Sequence, residues 1–344
     1  ITLETPTDLK SLDIYLGHAI EQDLAFYKNR SPDKPLVFLL GEFHSCPSHM
    51  MTAISVLSHL VQHRSQSGEN PVCAYEADAN IAQFVRKKLG LPSPQDLGPY
   101  WPQTDPSGQL TLHGLIGQNY YGMAPVSTNM YFRALLDNGI STCFNDAVHH
   151  ENELIDPNDP LAGEARYLVK RVSGFRVGLD FPLDPLEMGG TALRNAIIAL
   201  RGTNYAKDNQ SSVIFQICGG DHVFGSVEIE DWYENSLAYM YKTLGCEIVP
   251  IRLPVKYVAD DPIELLVDQA AWLDFPDSIL IRNLVENAYE RGQEDSEKKF
   301  FKSLSEQFRD KGNFYRLPDP EEEVWDKIDG LAAMQVMEDK LRAQ

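Results

Sequence analysis

Residues 36–40 read Leu-Val-Phe-Leu-Leu, with Pro35 before them and Gly41-Glu42-Phe43-His44 after. A short, uninterrupted apolar run between breakers is the pattern of a strand covered on both faces. A parallel sheet flanked by helices provides that cover; a half-solvated antiparallel sheet does not. The run stops at an acid and an imidazole two residues apart, and the strand period turns two such side chains the same way. Ligands in open α/β sheets collect outside the carboxyl ends of the strands, so Glu42 and His44 are the first site candidates.

The surrounding pattern supports the same class. Apolar Leu12, Leu16, Ile20 and Leu24 predict a first helix over about Thr7 to Lys28, and Pro47 suits the first turn of a helix reaching about His63. A second buried strand, PVCAYE, carries Glu76 near its end, and a helix over Asn80 to Leu89 follows. This alternation of strand and helix predicts an α/β fold with a mainly parallel or mixed central sheet flanked by helices. Residues 90–127, rich in Pro, Gly and aromatics including Tyr121, break the register and read as an inserted loop or lid.

The register resumes with a helix over Asn129 to Asp137 and a strand over Ser141 to Phe144, which runs into Asp146. Helices over Leu161 to Val172 and Gly190 to Tyr205, the strand SSVIFQIC, a helix over Glu228 to Leu244 and the strand CEIVPIRL follow. The expected division is an α/β core over 1–255 and a helical C-terminal extension over 256–344 packed on it.

Composition removes some functions. A formal charge of −20 argues against a nucleic-acid backbone or anionic membrane as partner, and no apolar run is long enough to span a bilayer. The charge says little else about function; the partner expectation is a small-molecule or peptide substrate, with no nucleic acid and no membrane span. Five cysteines without a C-x-x-C pair, three of them in apolar runs, read as structural thiols of a reducing compartment, hence a cytoplasmic expectation. The N-terminal ITLETPTDLK has no signal-peptide pattern, although a chain starting at Ile1 leaves room for a leader already removed.

One internal echo sharpens the site. Both LVFLL-GEFH and VIFQIC-GGDH are apolar strands that end in Gly-x-x-His. Each Gly is expected to permit a tight strand exit, with His44 and His222 just beyond the sheet edge. In neighbouring parallel strands the two ends would face one crevice.

With both motifs in hand, the chain resembles the TIKI superfamily, which groups TIKI and TraB-type metallopeptidase-like proteins, erythromycin esterases and the ChaN haem-uptake family. The motif set is similar at Gly41-Glu42-Phe43-His44, at Glu76 in AYEAD, at Arg194 in LRNAIIAL and at Gly219-Gly220-Asp221-His222. The wider GEFHSCPSH is most similar to the ChaN-type GExHxxPxH. An extra histidine that erythromycin esterases carry near the second motif has no counterpart beside His222. The resemblance covers about Leu36 to Pro250.

It implies a hydrolase of an ester or amide bond with Glu42, His44, Glu76, Arg194 and His222 in the site. Two chemistries suit such a set. His44, Glu76 and His222 could ligate a divalent ion (Mn, Co, Zn or Fe) that activates water. Alternatively one imidazole, oriented by a carboxylate, is the general base, while Arg194 and the other imidazole stabilise the oxyanion. The ChaN-like motif offers a different reading, a protein that binds haem or an iron complex, and a third reading is the catalytic module of a bacterial toxin or effector, because some large bacterial toxins carry a domain of this kind. Ordinary roles compete: Glu76 as a helix-terminal carboxylate, Arg194 as half of a surface ion pair. His49 either faces the site or is solvated. Asp146, Asp221 and Tyr121 are candidates for substrate binding or support, and His149 and His150 read as loop residues.

Overall fold

The computed structural model describes residues 9–31, 33–42, 47–67, 69–78, 131, 135, 138–148, 155–174, 188–224, 233–252 and 279–280. Within them six strands form one sheet: β1 (Leu36–Glu42), β2 (Val72–Asp78), β3 (Thr142–Asp146), β4 (Val213–Gly219), β5 (Glu247–Arg252) and β6 (Ile279–Leu280). Their order is β3-β2-β4-β1-β5-β6, and every described pairing is parallel. The chain is an α/β protein.

Every residue of β1 is buried, as its unbroken apolar text requires of a strand between two helical layers. It lies between β4 and β5, with Leu36 opposite both Val213 and Glu247 and Glu42 opposite Gly219. The two strands bearing Gly-x-x-His are thus immediate neighbours in register.

The helices are α1 (Leu9–Arg30), α2 (Pro47–Ser67), α3 (Ala162–Ser173), α4 (Met188–Asp208), α5 (Gly220–Phe224) and α6 (Leu237–Thr243). The direction of the crossovers sorts them into layers. From β1 to β2 the chain moves one way along the sheet; from β3 to β4 and from β4 to β5 it moves the other way. Right-handed crossovers then put α2 on one face and α4 and α6 on the opposite one. The packing agrees: α1 lies on α2, and α4 packs against α3 and α6. The α4 layer shares a core with Val37, Leu39, Ala74, Cys143, Ile214 and Cys218, alternate residues of four strands.

Because α4 leads directly into β4, it runs antiparallel to the strands, and its N-terminal turns lie at the carboxyl edge of the sheet. That edge also receives α5, which continues β4 without an intervening loop. Gly41 is what makes room for it. A Cβ there would lie 2.7 Å from Val223 Cγ2 and 3.0 Å from Gly220 Cα. Gly41 and Gly219 are strand residues without positive φ, so the expected tight exit is not their role. Gly41 serves the close approach of the second motif to the first.

The helix expected over Glu228 to Leu244 is shorter among the described residues. A 3-10 turn (Tyr233–Asn235) precedes α6, and Ser236 between them is extended, with φ −68° and ψ 157°. The Asn235 carbonyl, which a continuous helix would use internally, accepts from the Asn195 side chain instead, at 2.9 Å. The predicted helix over 80–89, the 90–127 insertion and the C-terminal extension other than 279–280 lie outside the described residues. No helix among the described residues is long and apolar enough to cross a membrane.

Candidate functional site

Three strand ends and the start of α4 build one charged cluster. Glu76 comes from β2, Asp146 from the last position of β3, and Arg194 from the second turn of α4. Arg194 forks onto Asp146, with Nε to Oδ1 at 3.1 Å and Nη2 to Oδ2 at 2.7 Å, and Nη2 also reaches Glu76 Oε1 at 2.7 Å. The two 2.7 Å contacts have the length of charge-assisted bonds, and the planar fork is what a lysine could not supply. The Arg194 side chain is 11% exposed, so this is no solvated surface pair.

His222, from the first turn of α5, closes the cluster. Its Nε2 is 3.2 Å from Glu76 Oε1, and its Nδ1 is 2.5 Å from Asn195 Oδ1. Because Asn195 Nδ2 donates to the Asn235 carbonyl, its oxygen is the atom turned to the ring. Oδ1 can only accept, so Nδ1 is the donor there. The remaining oxygen of Glu76, Oε2, accepts from the Gly219 amide at 2.6 Å. Glu76 is therefore the hub, touching a guanidinium, an imidazole and a backbone N–H.

Glu42 sits elsewhere. Leu40 of β1 and Tyr75 of β2 both align with Ile217, so the strands are in step, and Glu42 projects to the α2 face with Tyr75 while Glu76 projects to the α4 face. Tyr75 donates to Glu42 Oε1 at 3.4 Å. Next to this pair Cys73 Sγ and Tyr131 Oη are 2.7 Å apart, and the rings of Tyr75 and Tyr131 are 6.2 Å between centroids. Burial pushes the Tyr75 hydroxyl well above its usual range, with the Glu42 and Glu76 carboxylates adding to the effect. Burial likewise raises the Cys73 thiol to about 12, which the Tyr131 hydrogen bond only partly offsets. His49 is buried at 1% exposure, so it is not a solvated imidazole. Desolvation lowers it to about 3, so it is neutral at physiological pH.

The structure thus brings Glu76, Asp146, Arg194 and His222 together and sets Glu42 on the other face. Asp221 is exposed at the start of α5. His44, Tyr121, His149 and His150 lie outside the described residues. Asn195, which orients His222, is a site residue that the sequence reading passed over; its signal was adjacency to Arg194 on a helix entering the carboxyl edge.

Among the described residues no group of three or more His, Cys, Asp or Glu side chains is arranged to hold a metal ion. The reason is visible at Glu76, both of whose oxygens are engaged, and at Arg194, whose positive charge stands between two carboxylates. As arranged, Glu76 and His222 do not fit the role of ligands to a divalent ion.

Comparison of the sequence with family models gives no match, and comparison with curated proteins gives none. Among solved structures, the type III effector HopBA1 aligns at 13% identity and a TM-score of 0.33, over 64% of this chain and 78% of that chain. A likeness at that level carries no functional argument.

Proposed function

We propose that the protein is a hydrolase that cleaves an ester or amide bond with a water activated by His222. The reading is carried by one observation: an imidazole at the carboxyl edge of a parallel sheet, anchored on one nitrogen and looser on the other. Nδ1 is held at 2.5 Å by Asn195, whereas Nε2 lies 3.2 Å from Glu76, longer than the 2.7–2.9 Å typical of a charge-assisted bond. Nε2 is therefore the atom with slack to turn to a water. With the ring proton on Nδ1, Nε2 of the neutral imidazole carries the lone pair that a general base needs.

In this scheme His222 Nε2 takes a proton from the attacking water, and Glu76 stabilises the imidazolium that results. Arg194, fixed by Asp146, supplies a preformed positive charge toward the oxygen that becomes negative in the tetrahedral intermediate. The imidazolium then returns its proton to the leaving oxygen or nitrogen. Neither a serine nor a cysteine nucleophile is required. The resemblance of the two Gly-x-x-His motifs to the TIKI superfamily supports the same reaction class.

Turnover of a panel of chromogenic esters and anilides by the full chain tests the reading. His222→Asn and Glu76→Gln should each lower kcat/KM by about 10²–10⁴, the usual worth of a general base. A wild-type chain that turns over nothing in the panel, or folded variants as active as wild type, would overturn it.

A further inference from the structure

A second ion pair lies deeper than the Arg194 cluster, and it grips the same strand end. Arg201 follows Arg194 by seven residues, two helical turns, so both side chains leave one face of α4. Arg194 forks onto the Asp146 carboxylate, whereas Arg201 donates from Nη1 to the backbone carbonyl of Asp146. The other end of the Arg201 fork, Nη2, is 2.8 Å from Asp159 Oδ2. Asp159 in turn accepts the Val148 N–H on Oδ2 at 2.9 Å and the Leu161 N–H on Oδ1 at 2.9 Å. The exit of β3 is thus pinned at the 146 carbonyl and at the 148 amide, one residue to either side of Ala147.

The pair is fully enclosed, at 1% and 0% side-chain exposure. Burying two charges offsets most of their attraction, and apolar residues of similar volume often stabilise as well or better. Stability alone therefore does not account for an ion pair here. Binding a backbone carbonyl and an amide two residues apart at a strand end is what apolar residues cannot do. We infer that Arg201 and Asp159 are positioning residues that set the Asp146 carboxylate and, through it, the Arg194 guanidinium. The consequence for turnover rests on the hydrolase reading; the placement of Arg194 does not.

The test uses the full chain with both charges removed together, Arg201→Met with Asp159→Leu, so that neither is left buried alone. Three quantities are read: Tm, the Arg194 Nε–H resonance (assigned by its absence in Arg194→Lys), and kcat and KM on the best substrate of the panel. The double variant should fold with a lowered Tm, since the 146 carbonyl and the 148 and 161 amides lose their side-chain partners; its Arg194 Nε–H should move toward the free-arginine position, and kcat should fall by up to about a hundredfold with KM little changed. A folded double variant with the wild-type Arg194 resonance and kcat overturns the inference. If the double variant does not fold, Arg201→Lys decides, since it keeps the charge on Asp159 but gives up the fork. The same resonance should shift by less, and an unshifted resonance overturns the inference. If wild type hydrolyses nothing, the hydrolase reading fails while the resonance still decides the positioning role.

Discussion

The two faces of the sheet's carboxyl end bury polar groups in opposite ways. On the α4 face, charges are matched with charges: Arg194 with Glu76 and Asp146, Arg201 with Asp159. On the α2 face, Tyr75, Tyr131, Cys73 and His49 are kept neutral by burial, their hydroxyls and thiol pushed up and the imidazole pushed down. The difference is why the proposed hydrolysis is assigned to the α4 face. Apart from the Glu42 carboxylate, the α2 face holds hydroxyls, a thiol and an imidazole that stay neutral across the physiological range, whereas the α4 face holds a cluster of matched fixed charges.

The comparison is broken most directly at Arg194. Arg194→Met leaves Glu76 and Asp146 facing one another without their cation, and should cost about 3–5 kcal/mol. Arg194→Lys should recover part of it, because a point charge cannot fork. Urea unfolding of the three proteins measures this. A loss below about 1 kcal/mol, the worth of an exposed pair, would mean the cluster behaves as solvated surface.

His49 sharpens the other side. Its folded pKa of about 3 lies below the unfolded value of about 6.5, so as pH falls the unfolded chain takes up the proton first. The stability it contributes is complete above pH 6.5 and is lost as pH falls toward 3, by about 1.4 kcal/mol per unit at the steepest. Urea midpoints at pH 7 and pH 5 should fall further apart for wild type than for His49→Phe. Equal slopes would show that His49 is protonated within the fold.

The smallest effect is expected at Tyr75. Its bond to Glu42 is long at 3.4 Å, so Tyr75→Phe should cost no more than about 1 kcal/mol and leave hydrolysis unaltered. A large loss of turnover in the folded variant would move the chemistry to the α2 face.

Much of the scaffold was legible because burial writes itself plainly: an unbroken apolar strand such as β1 admits only a doubly covered position, and β4 reads almost the same way, interrupted only by Gln216. Glu76, Asp146 and His222 were legible as polar residues just where such strands end. What could not be read was how the strands stand beside one another. The period within β1 relates Glu42 to His44 but not to Glu76, and the in-step register of Leu40, Ile217 and Tyr75 puts the two acids on different faces. Arg201 was missed for a related reason. In LRNAIIALRG it looks like the place where an apolar stripe returns to water, and only its seven-residue spacing from Arg194 marks the shared inner face. Asp159, in a connection between elements, carries no periodic signal at all.

The placement of β1 also governs the order in which the molecule can assemble. Its two sheet neighbours are β4 and β5, both encoded far downstream; Cys218 lies against the Leu40 carbonyl across 178 positions of chain. During synthesis the first strand emerges with neither edge satisfied and stays so until β4 follows. Such long-range pairing makes for slow folding, and an apolar strand with two open edges invites association with other chains. Nascent chains that stop short of Val213 should therefore aggregate or bind chaperones, and release should coincide with the appearance of β4.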